Sequence, residues 1–333
     1  MTKQPHTLLE AKDISIGYPK NRRQETLRLY NHLSFELYSG ELTCLLGLNG
    51  SGKSTLLRTI SRVQPQLAGE VYLGGKRIEA YTSTEISRLL GLVLTEKTSA
   101  GGLTVRELVS LGRYPYTGFF GKLTTDDHTV VEKAMNDVQI SHKAESYVSE
   151  LSDGEQQRAM IAKALAQECP LVILDVANRI EITYLLRRLA KKQGRTFLFS
   201  SHDIQLALQT SDRLWLLSRE KGLTSGVAED LIYSNILEEY LGNERISFDR
   251  TNGGFTSPVN TQGYIQVLAE NELYYWIKNL LSRYGYDAVK EKEKPVKAII
   301  EAESPTQFKV TTSAYSSSAS SFKELGALIK SLA

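Results

Sequence analysis

Short, continuous apolar runs alternate with amphipathic stretches over the first 240 residues of the chain. Runs of this kind are typical of strands buried on both faces of a parallel sheet. They occupy residues 42–46, 91–94, 171–174, 196–199 and 213–217. Between them, apolar residues recur every three or four positions, which predicts helices. The predicted helices cover residues 104–111, 126–140, 159–167, 179–192, 204–210 and 230–241. This alternation predicts an α/β fold.

Weaker patterns lie around the first buried run. They predict an edge strand over residues 8–16, a second strand over residues 27–37, a hairpin over residues 69–76 and a helical turn over residues 85–90. Residues of about 96–168 are mostly helical in pattern, and we interpret them as a helical subdomain within the α/β domain. Either Thr124 or Thr125 is placed to cap its longest helix.

The last part of the chain has a pattern of its own. Gly, Asn and Thr are frequent in residues 247–262, which predicts a linker between a domain of residues 1–246 and a small α+β domain of residues 263–333. The small domain is predicted to contain strands at 263–268, 286–289, 296–302 and 307–312 and helices at 270–284 and 322–332. Its serine-rich residues 316–321 are interpreted as a loop, with a phosphorylatable or flexible segment as the alternative. We expect a regulatory or dimer-supporting role, because the domain contains no catalytic cluster.

Composition narrows the class of protein. With 41% hydrophobic and 23% charged residues, the chain of 333 residues has an ordinary globular composition. Its net charge of +2 gives no electrostatic argument for binding nucleic acid. Cys44 and Cys169 lie in apolar surroundings, as reduced core thiols of a cytosolic protein do. The start of the chain lacks an apolar signal core, and no run approaches the ~20 apolar residues of a membrane span, so any membrane role is expected to be peripheral.

A glycine-rich motif follows the first buried run. Residues 47–54, GLNGSGKS, satisfy G-x-x-x-x-G-K-[ST] between a predicted strand and a predicted helix. The motif glycines are Gly47, Gly50 and Gly52. Without side chains there, consecutive N–H groups can surround phosphate oxygens at a helix N-terminus. We expect Lys53 to reach the β- and γ-phosphates and Ser54 to ligate Mg²⁺. A glycine-rich turn without a ligand is the alternative, and the strand and helix on either side argue against it.

A metal-binding type of side chain, Asp175, and a titratable one, His202, follow two later buried runs. Asp175 follows the run at residues 171–174, where a carboxylate can face Mg²⁺; a simple strand-end residue is the alternative. His202 follows the run at residues 196–199, at the edge where open α/β sheets place ligand groups, although a lone histidine is usually structural.

Two further features have competing interpretations. Ser152 begins LSDGEQQR, where it caps a helix whose free N–H groups form a second possible phosphate site; a capped helix without an anion is much the commoner case. Tyr18 could stack on adenine, although its position alone favours packing on a sheet edge.

The order of these motifs resembles the ATP-binding subunit of ABC transporters over residues 8–241. The motifs are the phosphate loop, LSDGEQQR at residues 151–158, the apolar strand with Asp175, and SSHD at residues 200–203. Within that family, LTVRELV at residues 103–109 and GRYPY at residues 112–116 resemble the subunits of importers for ferric siderophores, haem and vitamin B12.

This resemblance implies a P-loop NTPase fold with a helical subdomain, and ATP and Mg²⁺ as cofactors. It implies a homodimer on transmembrane permease subunits at the cytoplasmic side of the inner membrane, with a periplasmic substrate-binding protein as an indirect partner and no nucleic acid. It also implies that Tyr18 stacks on adenine, which reverses the preference from position alone, and that His202 contacts the γ-phosphate. The other implied nucleotide-binding residues are Gly47, Asn49, Gly50, Ser51, Gly52, Lys53, Ser54, Thr55 and, toward the ATP of the other subunit, Ser152, Gly154 and Glu155.

The chain departs from the family pattern in two places. Thr95, beside Glu96, stands where the family has a glutamine that touches Mg²⁺ and the attacking water. The family motif after the strand aspartate continues Asp-Glu-Pro-Thr, whereas Val176 directly follows Asp175 here. The glutamate that polarises water, and the segment crossing between subunits, are therefore expected to be missing. Loss of a positioned base lowers rates about 10²- to 10⁴-fold, so we expect ATP binding with weak hydrolysis.

Three hypotheses of function follow from these observations. The first is the ATP-binding subunit of an importer for an iron-siderophore-like substrate. The second is a soluble ATP-dependent switch acting on ribosomes or DNA, although the second ATP domain or coiled-coil insert common in such proteins is not seen. The third is a hydrolysis-defective regulatory paralogue that binds ATP without transport.

Overall fold

The computed structural model describes residues 6–20, 26–94, 102–118, 121–175, 180–242, 246–250, 253–256, 261–291 and 295–332. The chain divides into two compact units. One contains Met1–Glu244 with Phe248–Phe255, and the other contains Arg245–Ser247 with Thr256–Ala333.

A mainly parallel sheet forms the centre of the first unit. Its strands are β3 (Leu42–Leu46), β6 (Leu90–Val93), β7 (Leu171–Leu174), β8 (Thr196–Ser200), β9 (Arg213–Ser218) and β10 (Gly222–Gly226). Their order in space is β10-β9-β3-β8-β7-β6, and only the β9–β10 pairing is antiparallel. Because the parallel strands are buried along nearly their whole length, they are continuous apolar runs in the sequence. Their carboxyl ends meet at one edge of the sheet.

One face of this sheet is covered by a helix and a second, antiparallel sheet. These elements are α1 (Lys53–Ile60) and strands β1 (Thr7–Tyr18), β2 (Leu27–Tyr38), β4 (Ala68–Leu73) and β5 (Lys76–Arg77). The antiparallel order is β2-β1-β4-β5. Leu56 and Leu57 of α1 share a buried cluster with Ile14 of β1 and with Leu45 and Trp215 of the parallel sheet.

Helices cover the opposite face and form a helical layer beside it. They are α3 (Val105–Ser110), α4 (Thr125–Asp137), α5 (Asp153–Ala166), α6 (Ile180–Gln193), α7 (Ile204–Thr210), α8 (Ala228–Tyr233) and α9 (Ile236–Leu241). The short helix α2 (Ser83–Ser87) belongs to the first face, where Ile86 packs against the cluster that contains Leu56 and Leu57. Short 3₁₀ turns occur at Ile78–Ala80, Leu111–Tyr116, Ser141–Lys143 and Val148–Glu150. Helices α3, α4 and α5 pack together through Leu108, Met135 and Ile161, which are fully or almost fully buried. Within the described residues, no helix combines the length and apolarity needed to cross a membrane.

A short hairpin follows α9, made of β11 (Ser247–Asp249) and β12 (Gly254–Thr256). The rings of Phe248 and Phe255 meet edge to face at 5.2 Å and pack on the core of the first unit. Residues 248–255 lie within the stretch 247–262 that the sequence predicts to be a linker, yet they group with the first unit.

The second unit has a separate core. Its elements are β13 (Tyr264–Leu268), α10 (Asn271–Arg283), β14 (Asp287–Val289), β15 (Val296–Ser304), β16 (Gln307–Thr311), β17 (Ser316–Ala319) and α11 (Phe322–Lys330). The strand order is β14-β13-β15-β16-β17, with β13 parallel to both neighbours and the remaining pairs antiparallel. Ile265, Ile300 and Val310 of the sheet pack against Leu281 and Ile329 of the helices.

The structure confirms the α/β class and corrects several local predictions. β1 pairs with β2 and β4 on its two sides, so it is an interior strand rather than the predicted edge strand. The predicted helix at residues 230–241 is two helices, separated at Asn235, whose φ of 64° interrupts the helical backbone. The predicted final strand is followed by β10, and the predicted serine-rich loop contains β17. Among the described residues, both strands lie at the end of a sheet and pair on one side only, where apolar patterning is not required.

Candidate nucleotide site

The glycine-rich loop connects β3 to α1. At Gly47 a Cβ atom would lie 2.5 Å from the carbonyl oxygen of Leu217 and 2.7 Å from Oγ of Ser51, so only glycine fits. Gly50 and Gly52 have φ values of 75° and 91°, in the left-handed region that favours glycine. The local backbone therefore requires the three glycines that the sequence motif singles out.

The loop and the start of α1 present free backbone donors. Gly52 is the N-cap of α1 and offers no side-chain cap. Within the described residues, the N–H groups of Gly50, Gly52, Lys53 and Ser54 donate no backbone hydrogen bond. Free N–H groups at a helix N-terminus form an anion site, since donors and helix dipole both favour negative charge.

Lys53 lies against the loop itself. Its Nζ donates to the carbonyl oxygens of Gly47 at 2.8 Å and Leu48 at 3.2 Å, and the side chain is largely buried. Burial lowers the pKa of Lys53, while the nearby carboxylate of Asp175 opposes that shift. The ammonium group is therefore beside the loop and electrostatically coupled to the predicted metal-binding acid.

Asp175 and His202 lie at the same sheet edge as the loop. Leu45 of β3 is level with Ser200 of β8, and Leu174 of β7 is level with Phe199 of β8, so the three strands end together. The Ser200 hydroxyl donates to Oδ1 of Asp175. This bond holds one carboxylate oxygen at the end of β7.

His202 lines a small hollow together with the loop. The hollow has a volume of about 180 Å³ and is lined by Gly47, Leu48, Asn49, Ser201 and His202, with Leu46, Ile204 and Leu241 at its apolar side. Burial and the positive charge of Lys53 lower the pKa of His202, whereas Asp175 acts in the opposite direction. The imidazole is therefore neutral near pH 7 and able to donate a hydrogen bond from one ring nitrogen and accept one at the other.

Tyr18 lies close to the start of α1 with its ring half-exposed. Its hydroxyl oxygen is 3.1 Å from Oγ1 of Thr55, within hydrogen-bond distance. The residue is 46% exposed, so part of its surface remains accessible at the end of β1. The structure thus leaves the ring available for stacking.

The signature serine belongs to the helical layer. Ser152 caps α5 in a capping box with Glu155, whose Oε2 accepts from the Ser152 N–H at 2.9 Å and hydroxyl at 2.8 Å. These bonds lower the pKa of Glu155. Gly154 lies in the first turn of α5. The structure therefore brings together the loop, Asp175 and His202, while Ser152, Gly154 and Glu155 remain predicted contacts to the ATP of another subunit.

The residues present suit Mg²⁺ bound together with phosphate. Ser54 has an exposed hydroxyl beside the loop, and Asp175 is partly exposed. Among the described residues, no three His, Cys, Asp or Glu side chains cluster as a metal site. Mg²⁺ commonly uses one or two protein oxygens with waters and substrate phosphates, so this donor set is sufficient. Thr95, the third predicted metal residue, lies outside the described residues.

Three further side chains contact the site, and sequence patterns indicate only the position of Ser200 among them. They are Tyr30, whose hydroxyl donates to the carbonyl oxygen of Ser51; Arg219, whose Nε donates to that of Gly50 at 3.0 Å; and Ser200, which donates to Asp175. The first two lie outside the loop motif, and only the fold brings them to it. Ser200 lies in the SSHD segment, so its position next to β8 was a usable signal.

Two parts of the chain match known protein families. Residues 30–178 match the family described as "ABC transporter", and residues 262–332 match the "Iron ABC transporter C-terminal domain". An ABC transporter ATP-binding protein of Methanocaldococcus jannaschii is 32% identical over 82% of this chain and 97% of its own length. The chain belongs to the ABC transporter ATP-binding proteins.

Two relatives of this ATP-binding protein carry more specific names. The ferric enterobactin transport ATP-binding protein FepC of Escherichia coli is 34% identical over 70% of this chain and 87% of its own length. The iron(3+)-hydroxamate import ATP-binding protein FhuC of Bacillus subtilis is 34% identical over 73% of this chain and 92% of its own length.

Solved structures support the fold. A nucleotide-free ATP-binding cassette from an ABC transporter has a TM-score of 0.60 at 22% identity, covering 72% of this chain and all of that one. A dimeric cassette bound to ADP and phosphate has a TM-score of 0.57 at 23% identity, covering 66% of this chain and 98% of that one. The predicted P-loop NTPase cassette is thus confirmed.

Proposed function

We propose that this chain is the ATP-binding subunit of an importer, and that it couples ATP binding and hydrolysis to uptake of an iron-siderophore-like substrate. The observation that carries the proposal is the loop with free N–H donors, beside Lys53, Asp175 and His202, in a chain whose named relatives transport ferric siderophores. The match of residues 262–332 to an iron transporter domain supports the substrate class.

The proposed assembly is a homodimer bound to transmembrane permease subunits at the cytoplasmic face of the inner membrane. A periplasmic substrate-binding protein delivers the substrate to the permease. In such a dimer, Ser152, Gly154 and Glu155 of one subunit face the nucleotide on the loop of the other. The second unit, with its separate core, acts as a regulatory or dimer-supporting domain.

Within the site, each side chain has a proposed role. The loop N–H groups and Lys53 hold the β- and γ-phosphates, and Tyr18 stacks on adenine. Ser54, Asp175 and Thr95 hold Mg²⁺. When bound, the ion neutralises phosphate charge. His202 contacts the γ-phosphate.

Hydrolysis is proposed to be weak. Val176 follows Asp175 where the family has a glutamate that polarises water, and a positioned base is worth about 10²- to 10⁴-fold in rate. Residues 176–179 lie outside the described residues, so this proposal rests on the sequence. A second candidate function, that of a hydrolysis-defective regulatory paralogue, rests on the same missing glutamate and segment.

Reconstitution with a siderophore permease tests both statements. We expect the unaltered chain to bind MgATP and to co-purify with the permease. Inserting a Glu-Pro-Thr segment after Asp175 is expected to raise ATP turnover at least about 100-fold. Radiolabelled ferric-siderophore uptake into vesicles measures transport, and phosphate release measures turnover.

The matched control carries Gln-Pro-Thr at the same place, so that chain length is equal and only the base differs. Equal, robust turnover in all three chains would show that another residue supplies the base. Permease binding without uptake in any of them would favour the regulatory paralogue. Failure to bind the permease while binding ATP would favour a soluble switch.

A further inference from the structure

The carbonyl groups of the phosphate loop are held by donors from outside the motif. The guanidinium of Arg219, just after β9, donates through Nε to the Gly50 carbonyl at 3.0 Å. The hydroxyl of Tyr30, on β2, donates to the Ser51 carbonyl. One donor directly follows a strand of the parallel sheet and the other lies on a strand of the antiparallel sheet, so elements from both sides hold the loop.

The bond from Tyr30 sets the direction of one free N–H group of the loop. The bond from Arg219 acts on the peptide whose N–H, that of Ser51, donates to the Leu48 carbonyl at 3.1 Å, so it fixes the turn of the loop. In a planar trans peptide, the C=O and the following N–H point in opposite directions. Holding the Ser51 carbonyl therefore directs the Gly52 N–H, which donates no backbone bond within the described residues, away from Tyr30. The carbonyls of Gly47 and Leu48 are occupied by Lys53.

Tyr30 is built into this position. The side chain is almost fully buried, and a Cβ on Gly52 would lie 3.1 Å from its Cε2, so the ring supports the loop directly. Burial raises the pKa of Tyr30 to about 12, although Arg219 acts to lower it. The hydroxyl therefore remains a proton donor throughout the physiological range.

We propose that Tyr30 and Arg219 are positioning residues that preorganise the phosphate loop for a nucleoside triphosphate, acting through the carbonyls of Ser51 and Gly50. This inference rests on the proposed binding of ATP. Preorganised loop N–H donors need no rearrangement when the nucleotide binds. Loss of Tyr30 or Arg219 therefore weakens phosphate binding, although neither side chain touches the nucleotide.

Binding of MgATP and of inorganic tripolyphosphate to the full chain, by competition with a fluorescent ATP analogue, tests the inference. Tyr30→Phe and Arg219→Gln are each expected to raise the Kd of both ligands about 5- to 20-fold, as expected for one lost hydrogen bond in a preorganised site. Tyr18→Ala provides the contrast, because removing the stacking ring is expected to weaken MgATP and leave tripolyphosphate unchanged.

Lys221→Ala is the matched control for charge, because it removes a cation two residues from Arg219 that pairs with Glu239. We expect wild-type affinity for both ligands from this variant. An equal loss in Lys221→Ala, or unchanged affinity in both Tyr30→Phe and Arg219→Gln, would overturn the inference. If the unaltered chain binds neither ligand, the proposed function itself fails. Melting midpoints measured without ligand identify any variant that is misfolded. If Arg219→Gln is unstable, Tyr30→Phe still tests the inference, because it retains the buried ring and loses only the hydroxyl.

Discussion

At the scale of single residues, the hydroxyl of Tyr18 links an exposed ring to the first turn of α1. The distance of 3.1 Å to Oγ1 of Thr55 joins two residues that are 37 positions apart in the chain. The resemblance predicted stacking from the ring of Tyr18, whereas the contact of its hydroxyl was found only in the folded chain. That contact sets the orientation of the ring before any ligand arrives.

Tyr18→Phe separates these two contributions. The ring remains for stacking, but the contact to Thr55 is lost, so we expect the Kd of MgATP to rise about 2- to 5-fold, as for one modest hydrogen bond. Tyr18→Ala loses the stacking as well and is expected to raise the Kd by about tenfold or more. Calorimetric titration measures both. If Thr55→Val in the Tyr18→Phe background adds the same penalty as in the unaltered chain, the two residues are not coupled and the prediction is wrong.

At the scale of elements, a buried ion pair joins three parts of the helical layer. Nε of Arg113, in the 3₁₀ turn Leu111–Tyr116, lies 2.8 Å from Oδ1 of Asp127 on α4. The same guanidinium donates to the carbonyl of Ala166 at the end of α5, and lies 4.1 Å from the centre of the Tyr116 ring. The turn is therefore fixed to both helices.

Asp127→Asn is expected to lower the free energy of unfolding by about 1–2 kcal/mol at pH 7, because it removes one of the two carboxylates that pair with the buried Arg113. The other carboxylate, that of Glu168, remains 2.7 Å from Nη1 of Arg113. Hydrogen bonds from Thr124, followed by the bond from Arg113, lower the pKa of Asp127 to about 2. Because the folded pKa is below the unfolded one, this stability is present above about pH 4 and is lost as the pH falls toward 2.

Urea unfolding from pH 7 to pH 3 measures this difference. Glu70→Gln is the matched control, since the Glu70–Arg77 pair is exposed and worth less than about 1 kcal/mol. A gap between the unaltered chain and Asp127→Asn that stays constant down to pH 3 would contradict the assignment.

At the scale of the whole molecule, the stretch that the composition predicts to be a linker contains residues of both units. Residues 247–262 look like a linker because Gly, Asn and Thr are frequent there, and short strands with few apolar residues carry little periodic signal. Phe248 and Phe255 nevertheless complete the core of the first unit.

Two truncations locate this boundary. A chain ending at Thr256 is expected to keep the melting midpoint of the first unit. A chain ending at Asp249 loses the partly buried ring of Phe255, and we expect it to be less stable by about 1–2 kcal/mol. Calorimetry measures both midpoints. Identical midpoints would show that the hairpin contributes nothing to the first unit.

The α/β class and the phosphate loop were predictable from local sequence patterns alone. Buried parallel strands must be apolar at every position, and a tight turn around phosphate requires glycines at fixed spacing, so both features are written in consecutive residues. Asp175 and His202 were predictable for a related reason, because residues that directly follow parallel strands meet at one edge of the sheet.

The side chains that support that loop become evident only in the folded chain. Tyr30 and Arg219 lie 21 and 169 residues from the carbonyls that they bind, and no local pattern links such positions. Strand order likewise decided that β1 is interior, since pairing partners come from distant parts of the chain. Hydrogen bonds between remote segments depend on the fold as a whole, whereas strand and turn chemistry depends on neighbouring residues.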